Sequence, residues 1–341
     1  MHIRWIKIYA LGLATAIGVA VIAERHWRML GYHPTVIDDK ALWSVERYRL
    51  DDRRDTLAIL GASRMQLGFD PDSFRKLYPQ WHLVNLTVNG HYPLATLSDI
   101  ATNTDFRGTL LISIDARSLL REFRPMQQAW VDYYRRDFGP GLWLQAQLAS
   151  RFQLARVTAN PEFSLVRRVV SWLDDGAPPH VTYVTFDRSR FGKADYRQVD
   201  AAYHLEHRVA GLRQFYEKFS LPSPELWLAD TAPMLDDIKT IQERGGKVIL
   251  LRMPTRGGYW DLDQQFLPRA SYWDALARSP GLDTLHFEDV PAIEQFALPD
   301  GSHLDFRDRS AFTRALLCTL EMQGMGPAAQ KAQAPPAPCL E

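Results

Sequence analysis

The chain has 341 residues, 46% of them hydrophobic and 23% charged, which suits one large α/β domain or two average domains. Its 40 Lys and Arg residues balance its 40 Asp and Glu residues, so bulk electrostatics give no argument for a nucleic-acid partner. The two cysteines lack the spacing of a metal site and do not identify a redox compartment, and no cofactor motif occurs.

The N-terminus predicts a membrane segment. An uncharged, mostly apolar run extends from Ile8 to Ala23. Counted back to Trp5, it reaches the short end of the roughly 17–25 residues that span a bilayer. Basic residues precede it, which places the N-terminus in the cytoplasm and exports the remainder. A cleaved signal peptide is the alternative. We favour an uncleaved anchor over residues 1–24, with an extracytoplasmic domain on the periplasmic or cell-surface side.

After a connector over residues 25–54 with one helix near 41–48, hydrophobic patterns alternate between strand and helix type. Such alternation predicts a parallel sheet covered by helices on both faces, an α/β fold of about five strands in residues 55–323. The predicted strands are 56–60, 81–88, 109–114, 247–252 and 282–287, and the predicted helices are 71–78, 94–103, 233–244 and 309–322.

The alternation is interrupted between about residues 123 and 228. This segment is rich in Trp, Tyr and Arg, and we interpret it as an insertion that covers the sheet, with a lid or a partner-docking surface as the alternative role. Its predicted elements are helices at 130–136, 142–156, 165–173 and 203–219 and a strand at 181–186. Residues 324–341 are rich in Pro and Ala and predict a disordered tail.

One serine stands where a parallel sheet binds ligands. Gly61-Ala-Ser63 follows the first strand and opens a short helix, so Ser63 lies at the carboxyl end of a strand and the amino end of a helix. Helix amino termini favour negative charge. Serine is also a common helix cap, and that structural role is the alternative.

A nucleophilic serine needs a base and a group that orients the base. Asp300-Gly-Ser-His303, just before the last helix, offers both from one loop. Asp300 would hold one ring nitrogen of His303 and leave the other facing Ser63. The alternative is that Asp300 is a turn residue and that His303 is a surface residue.

Taken in order, Gly61-Ala-Ser63, Asn89-Gly90 and Asp300-Gly-Ser-His303 resemble the sequence blocks of the SGNH (GDSL-type) hydrolase superfamily. The resemblance implies a flavodoxin-like three-layer fold, catalytic Ser63, Asp300 and His303, and an oxyanion hole formed by the backbone N–H groups of Ser63 and Gly90. The superfamily's third block usually carries an asparagine after the third strand. None occurs between residues 111 and 118, where Asp115 and Arg117 stand instead.

Gly68-Phe-Asp-Pro71 is similar to a divergent, membrane-anchored branch represented by the D-alanyl-lipoteichoic-acid transfer protein (DltD) and the alginate O-acetylation proteins (AlgJ and AlgX). That resemblance implies transfer or hydrolysis of an O-acyl group, in particular O-acetyl, on an envelope or secreted polysaccharide, beside a membrane-bound O-acyltransferase. A catalytically weak adaptor that binds glycan or scaffolds that partner is the alternative. The candidate pocket residues are Arg64, Asn89, His91, Asp115 and Arg117.

Overall fold

The computed structural model describes residues 2–50, 53–159 and 183–330, together with residues 163, 170, 173, 336 and 339. Its centre is a sheet of five parallel strands, which lie side by side in the order His82–Asn85, Thr56–Leu60, Thr109–Ser113, Lys247–Arg252 and Asp283–His286. This is the flavodoxin-like order, and it confirms the α/β prediction. The strands are β1 (Thr56–Leu60), β2 (His82–Asn85), β3 (Thr109–Ser113), β6 (Lys247–Arg252) and β7 (Asp283–His286).

Helices cover both faces of the sheet because the strands are apolar on both faces. Along β1, Ala58 and Leu60 enter one core while Leu57 and Ile59 enter the other. The first core includes residues of α2 (Lys40–Tyr48), α5 (Leu94–Asn103), α6 (Gln128–Arg136), α8 (Ala201–Lys218), α9 (Pro224–Asp230), α10 (Ala232–Glu243), α11 (Gly257–Phe266) and α12 (Trp273–Ala277). The second includes residues of α3 (Ser63–Gly68), α4 (Pro71–Leu77), α13 (Pro291–Glu294) and α14 (Arg309–Met322).

The insertion contributes further elements. Helix α7 (Pro140–Ala155) packs against α2, and a small antiparallel hairpin joins β4 (Val184–Phe186) to β5 (Gly192–Ala194). The sequence pattern did not indicate β5. The helix predicted at 165–173 and the first residues of the strand predicted at 181–186 lie mostly outside the described residues.

Two segments are more tightly integrated than the sequence suggested. In the predicted connector, Trp43 is fully buried and donates from its indole Nε1 to the Leu86 carbonyl at 3.2 Å. The predicted disordered tail begins with buried Met325 and Ala328 and a short helix, α15 (Pro327–Gln330). Cys339 further along the tail forms a disulfide with Cys318 of α14. Apolar contacts and this crosslink therefore attach part of the tail to the domain.

Helix α1 (His2–Met29) has 28 residues and extends beyond the predicted end at residue 24. Its segment Trp5–Met29 is long and apolar enough to cross a membrane, and none of its most apolar window is buried against the domain. This supports a membrane anchor or a signal sequence as the role of the N-terminus.

Candidate active site

Ser63 is the first residue of α3, directly beyond β1. The strand and the helix are joined by Gly61, which has a φ of 142°, and by Ala62, which is the N-cap. Because Ala62 occupies the cap position, the Ser63 hydroxyl does not cap the helix. This removes the structural alternative for Ser63. The strand order changes direction between β1 and β3, and ligands of such sheets bind at that switch point.

Three side chains form a hydrogen-bonded chain at this edge. Ser63 Oγ lies 2.8 Å from His303 Nε2, and His303 Nδ1 lies 2.9 Å from Asp300 Oδ2. Asp300 is fully buried and His303 is almost so. The loop that follows α13 thus brings two residues against a serine about 240 positions earlier in the chain.

Asp300 is held by its own loop. Its Oδ1 accepts hydrogen bonds from the backbone N–H groups of Ser302 and His303 at 3.0 and 2.8 Å. Arg208 of α8 lies behind it, with Nε 2.8 Å from Asp300 Oδ2. Burial by itself raises the pKa of Asp300, but the hydrogen bond from His303 and the charge of Arg208 outweigh it and hold the pKa well below its usual range. Asp300 is therefore an anion at neutral pH.

The same surroundings keep His303 neutral. Burial lowers its pKa below the ordinary 6.5, and the positive charges of Arg208 and Arg64 lower it further against the opposing effect of Asp300. Because the Asp300 carboxylate accepts the proton on Nδ1, Nε2 has a free lone pair directed at Ser63. A neutral imidazole of this tautomer can take the hydroxyl proton.

Ser63 and His303 open into a cavity of about 160 Å³. Gly90, with a φ of 71°, lines the same cavity. Within the described chain, the backbone N–H groups of Ser63 and Gly90 donate no hydrogen bond to another protein group. Both are therefore free to bind a developing oxyanion.

No asparagine side chain lines this cavity among the described residues, and Asp115 does not substitute for one. Its Oδ2 accepts from Arg64 Nη1 at 2.8 Å, and its Oδ1 accepts from the Ser118 N–H at 2.8 Å. Burial raises the pKa of Asp115, but the charges of Arg117, Arg64 and Arg252 outweigh it and hold the pKa far below normal. Asp115 is thus a buried countercharge for the arginines.

Of the predicted pocket residues, Arg64, Asp115 and Arg117 line the cavity. Asn89 and His91 do not: the His91 ring bonds the Asn89 carbonyl at 2.9 Å and packs near Trp130. The sequence reading missed further lining residues, namely Tyr92, Ser113, Arg208, Tyr259 and Ser302. Apart from Ser302, which lies within the Asp300-Gly-Ser-His303 motif, these residues follow no motif, and only the fold brings them together. In the portion of the chain that the structure describes, no group of three His, Cys, Asp or Glu side chains forms a metal-type cluster.

The fold and the site define an α/β protein of flavodoxin-like strand order, with a hydrogen-bonded Ser-His-Asp chain at the carboxyl edge of its sheet. No protein-family model matches the chain, and no curated protein matches it. Among solved structures it is similar to a crystal structure of TesA, with 12% identity and a TM-score of 0.35 over 78% of this chain and 97% of that chain. A likeness of this size does not bear on activity.

Proposed function

We propose that the protein is an SGNH-type serine esterase or acyltransferase with Ser63, His303 and Asp300 as a catalytic triad. The observation that supports this most strongly is the hydrogen-bonded chain from Ser63 Oγ through His303 to the buried Asp300 carboxylate. Two unpaired backbone N–H groups beside the same cavity add the donors that acyl transfer requires.

In the proposed reaction, Ser63 Oγ attacks the carbonyl carbon of an ester while His303 Nε2 takes the hydroxyl proton. The carbonyl oxygen becomes an oxyanion that accepts hydrogen bonds from the Ser63 and Gly90 N–H groups. Collapse of this intermediate breaks the bond to the leaving alcohol, which receives the proton from His303. An acceptor hydroxyl or water then attacks the acyl-serine by the same steps and frees Ser63.

The site would lack the side-chain amide that usually completes such an oxyanion hole. Removing one oxyanion donor typically lowers the rate by about 100- to 1,000-fold. A slow transferase, or a site completed by a partner, fits this composition better than a fast hydrolase. The missing amide also favours the alternative of a weak or inactive adaptor that binds glycan or scaffolds a membrane-bound O-acyltransferase.

We further propose that the domain is membrane-anchored on the extracytoplasmic side. Helix α1 is long enough to span the bilayer, and the Cys318–Cys339 disulfide suits an oxidising compartment. The resemblance of residues 68–71 to envelope O-acylation proteins suggests the substrate. It would be the O-acyl, in particular O-acetyl, groups of an envelope or secreted polysaccharide, handled with a membrane-bound O-acyltransferase partner.

A fluorophosphonate probe for active serines tests the catalytic role. We expect the wild-type protein to be labelled and Ser63→Ala to remain unlabelled, with ester turnover lower by roughly 10,000-fold or more. Ser98→Ala, which changes an exposed serine on α5, is the matched control and should behave as wild type. Equal labelling of wild type and Ser63→Ala would reject the enzyme proposal.

A second experiment separates transfer from hydrolysis. When the protein is incubated with an acyl ester and a polysaccharide, acyl-polysaccharide as the product supports transfer, whereas free acid alone supports hydrolysis.

A further inference from the structure

Helix α7 carries apolar side chains on both of its faces. The inner face, which includes Ala146 and Ser150, is buried where the helix packs against α2. On the outer face, Leu144, Leu148 and Phe152 follow one another at intervals of four residues and are 52, 59 and 60% exposed. Residues four apart lie on one side of a helix, so these three form a continuous apolar stripe.

A surface helix of a water-soluble domain normally has a polar outer face. Helix α7 has only one charged residue, Arg151, in its 16 residues. Counting Trp143, it holds four of the large exposed hydrophobic side chains that the structure describes outside α1. Exposed apolar surface concentrated in this way marks a contact with a partner or a membrane.

The carboxyl-terminal part of α1 contacts the carboxyl end of α7 and the residues just after it. Arg28 Nη2 donates to the Ala155 carbonyl at 3.1 Å. The Glu24 carboxylate accepts from the backbone N–H of Val157 at 2.9 Å. One end of the apolar stripe on α7 therefore lies beside the carboxyl end of the apolar segment of α1.

Aromatic residues mark the depth of that point. Trp5 and Tyr9 lie near one end of α1, and Trp27 packs against Tyr32 and Phe163 at the other. At about 1.5 Å per residue, Trp5 and Trp27 are about 33 Å apart, close to the roughly 30 Å of bilayer hydrocarbon. Tryptophan and tyrosine concentrate at both membrane interfaces. Arg28, and with it Ala155, would then lie at the level of the outer headgroups.

We infer that the outer face of α7 rests on the outer leaflet, with Leu144, Leu148 and Phe152 in the boundary between headgroups and acyl chains. The occupant of this face is then lipid, because the stripe continues from a helix that itself faces lipid. Exposed Arg151 beside the stripe suits anionic headgroups. This inference rests on the proposed membrane anchor. It adds a second contact, which would hold the domain against the bilayer in one orientation.

Single-cysteine labelling of the full chain tests this contact. The two native cysteines are paired, so Leu148→Cys supplies one free thiol for the fluorophore NBD. The protein is reconstituted in nanodiscs of phosphatidylcholine and phosphatidylglycerol, with and without doxyl-labelled phosphatidylcholine. We expect NBD at position 148 to emit at shorter wavelength than in water and to lose most of its fluorescence to 5-doxyl lipid.

Two further positions make the outcome interpretable. Ile17→Cys in the middle of α1 should be quenched by 12-doxyl lipid and reports the anchor alone. Leu226→Cys is the matched control, because Leu226 is a leucine that is 64% exposed on α9. Helix α9 packs on α10, which lies over β6, whereas α7 packs on α2 near the opposite edge strand, β2. It should stay unquenched.

Quenching at position 17 without quenching at position 148 would overturn the α7 contact and leave the anchor standing. A label at position 148 that emits at shorter wavelength but is not quenched would do the same. Absence of quenching at both positions would overturn the anchor as well. Equal quenching at positions 148 and 226 would contradict the assignment of the contact to α7.

Discussion

Arg208 lowers the pKa of both Asp300 and His303 in the candidate triad. Its guanidinium lies against the Asp300 carboxylate and lowers the pKa of Asp300, which keeps that group ionised. Its positive charge also lowers the pKa of His303, which keeps the imidazole neutral. Arg208 touches neither Ser63 Oγ nor His303 through a hydrogen bond among those the structure describes, so we regard it as a positioning residue.

Replacing Arg208 with glutamine should move the acid limb of the pH–rate profile to higher pH. Without the guanidinium, the pKa of His303 rises because protonated imidazole is no longer repelled and Asp300 attracts it more strongly. Esterase kcat/KM measured from pH 4 to 8 gives the apparent pKa. Arg213→Gln, an exposed arginine on the same helix, is the control and should leave the profile unchanged. An acid limb that stays in place, or moves to lower pH, would contradict this role.

Asp115 lines the candidate cavity and serves as a countercharge for arginine side chains. The sequence identified it as a pocket residue after the third strand, where the resembling superfamily carries asparagine. Both of its carboxylate oxygens accept hydrogen bonds, one from Arg64 and one from the Ser118 N–H. Two cations, Arg64 and Arg117, share its negative charge at the cavity wall. Removing one partner of a buried ion pair is strongly destabilising, which gives Asp115 a structural role whatever the substrate.

At the scale of elements, the turn from β1 to α3 determines where Ser63 lies. Gly61 has a φ of 142°, a backbone conformation that residues other than glycine rarely adopt. A Cβ there would lie 2.9 Å from the Cβ of Ser113 and 3.1 Å from its carbonyl oxygen. The close approach of β1 and β3 therefore requires glycine at this position.

Gly61→Ala should lower the free energy of unfolding by about 1–3 kcal/mol, because the backbone must leave its preferred geometry or push β3 away. It should also reduce ester turnover, since a shift of about 1 Å in Ser63 would misalign its hydroxyl with His303 and slow the reaction. Urea unfolding and steady-state kinetics measure the two effects. Gly139→Ala, where a Cβ meets nothing within 4 Å, is the matched control. Unchanged stability and activity in Gly61→Ala would show that the turn tolerates a side chain.

Considered as a whole, the molecule has its termini on opposite sides of the bilayer if α1 spans it. The basic residues before the apolar run favour a cytoplasmic N-terminus. A bacterial alkaline phosphatase fused after Glu341 should then be active, because it folds only in the oxidising periplasm. The same fusion to a chain lacking residues 2–29 should be inactive. Activity in the truncated fusion would show that α1 is not what exports the domain.

The sequence alone predicted the five strands of the sheet and four of the longer helices around it, because apolar periodicity and Gly or Asp boundaries are short-range signals. It did not predict α11, α12 or α13, which follow β6 and β7. The final helix, for example, was predicted at 309–322 and is observed as Arg309–Met322. The β4–β5 hairpin was only half visible. Val184 pairs with Ala194 across a turn, but β5 has only three residues and begins with glycine, so it carries no strand signal of its own.

Parallel strands bring their carboxyl ends to one edge, which pointed to Ser63, Asp300 and His303 as neighbours, and the resemblance to the superfamily's sequence blocks added Gly90. Their catalytic role stays a prediction. Only the tertiary structure decided what surrounds them. Arg208 comes from an insertion helix, and Tyr259 comes from the helix after β6. Contacts between residues so far apart depend on how helices pack on the sheet, which no local pattern encodes. The same packing decided that Asp115 faces arginines and that α7 leaves an apolar face uncovered.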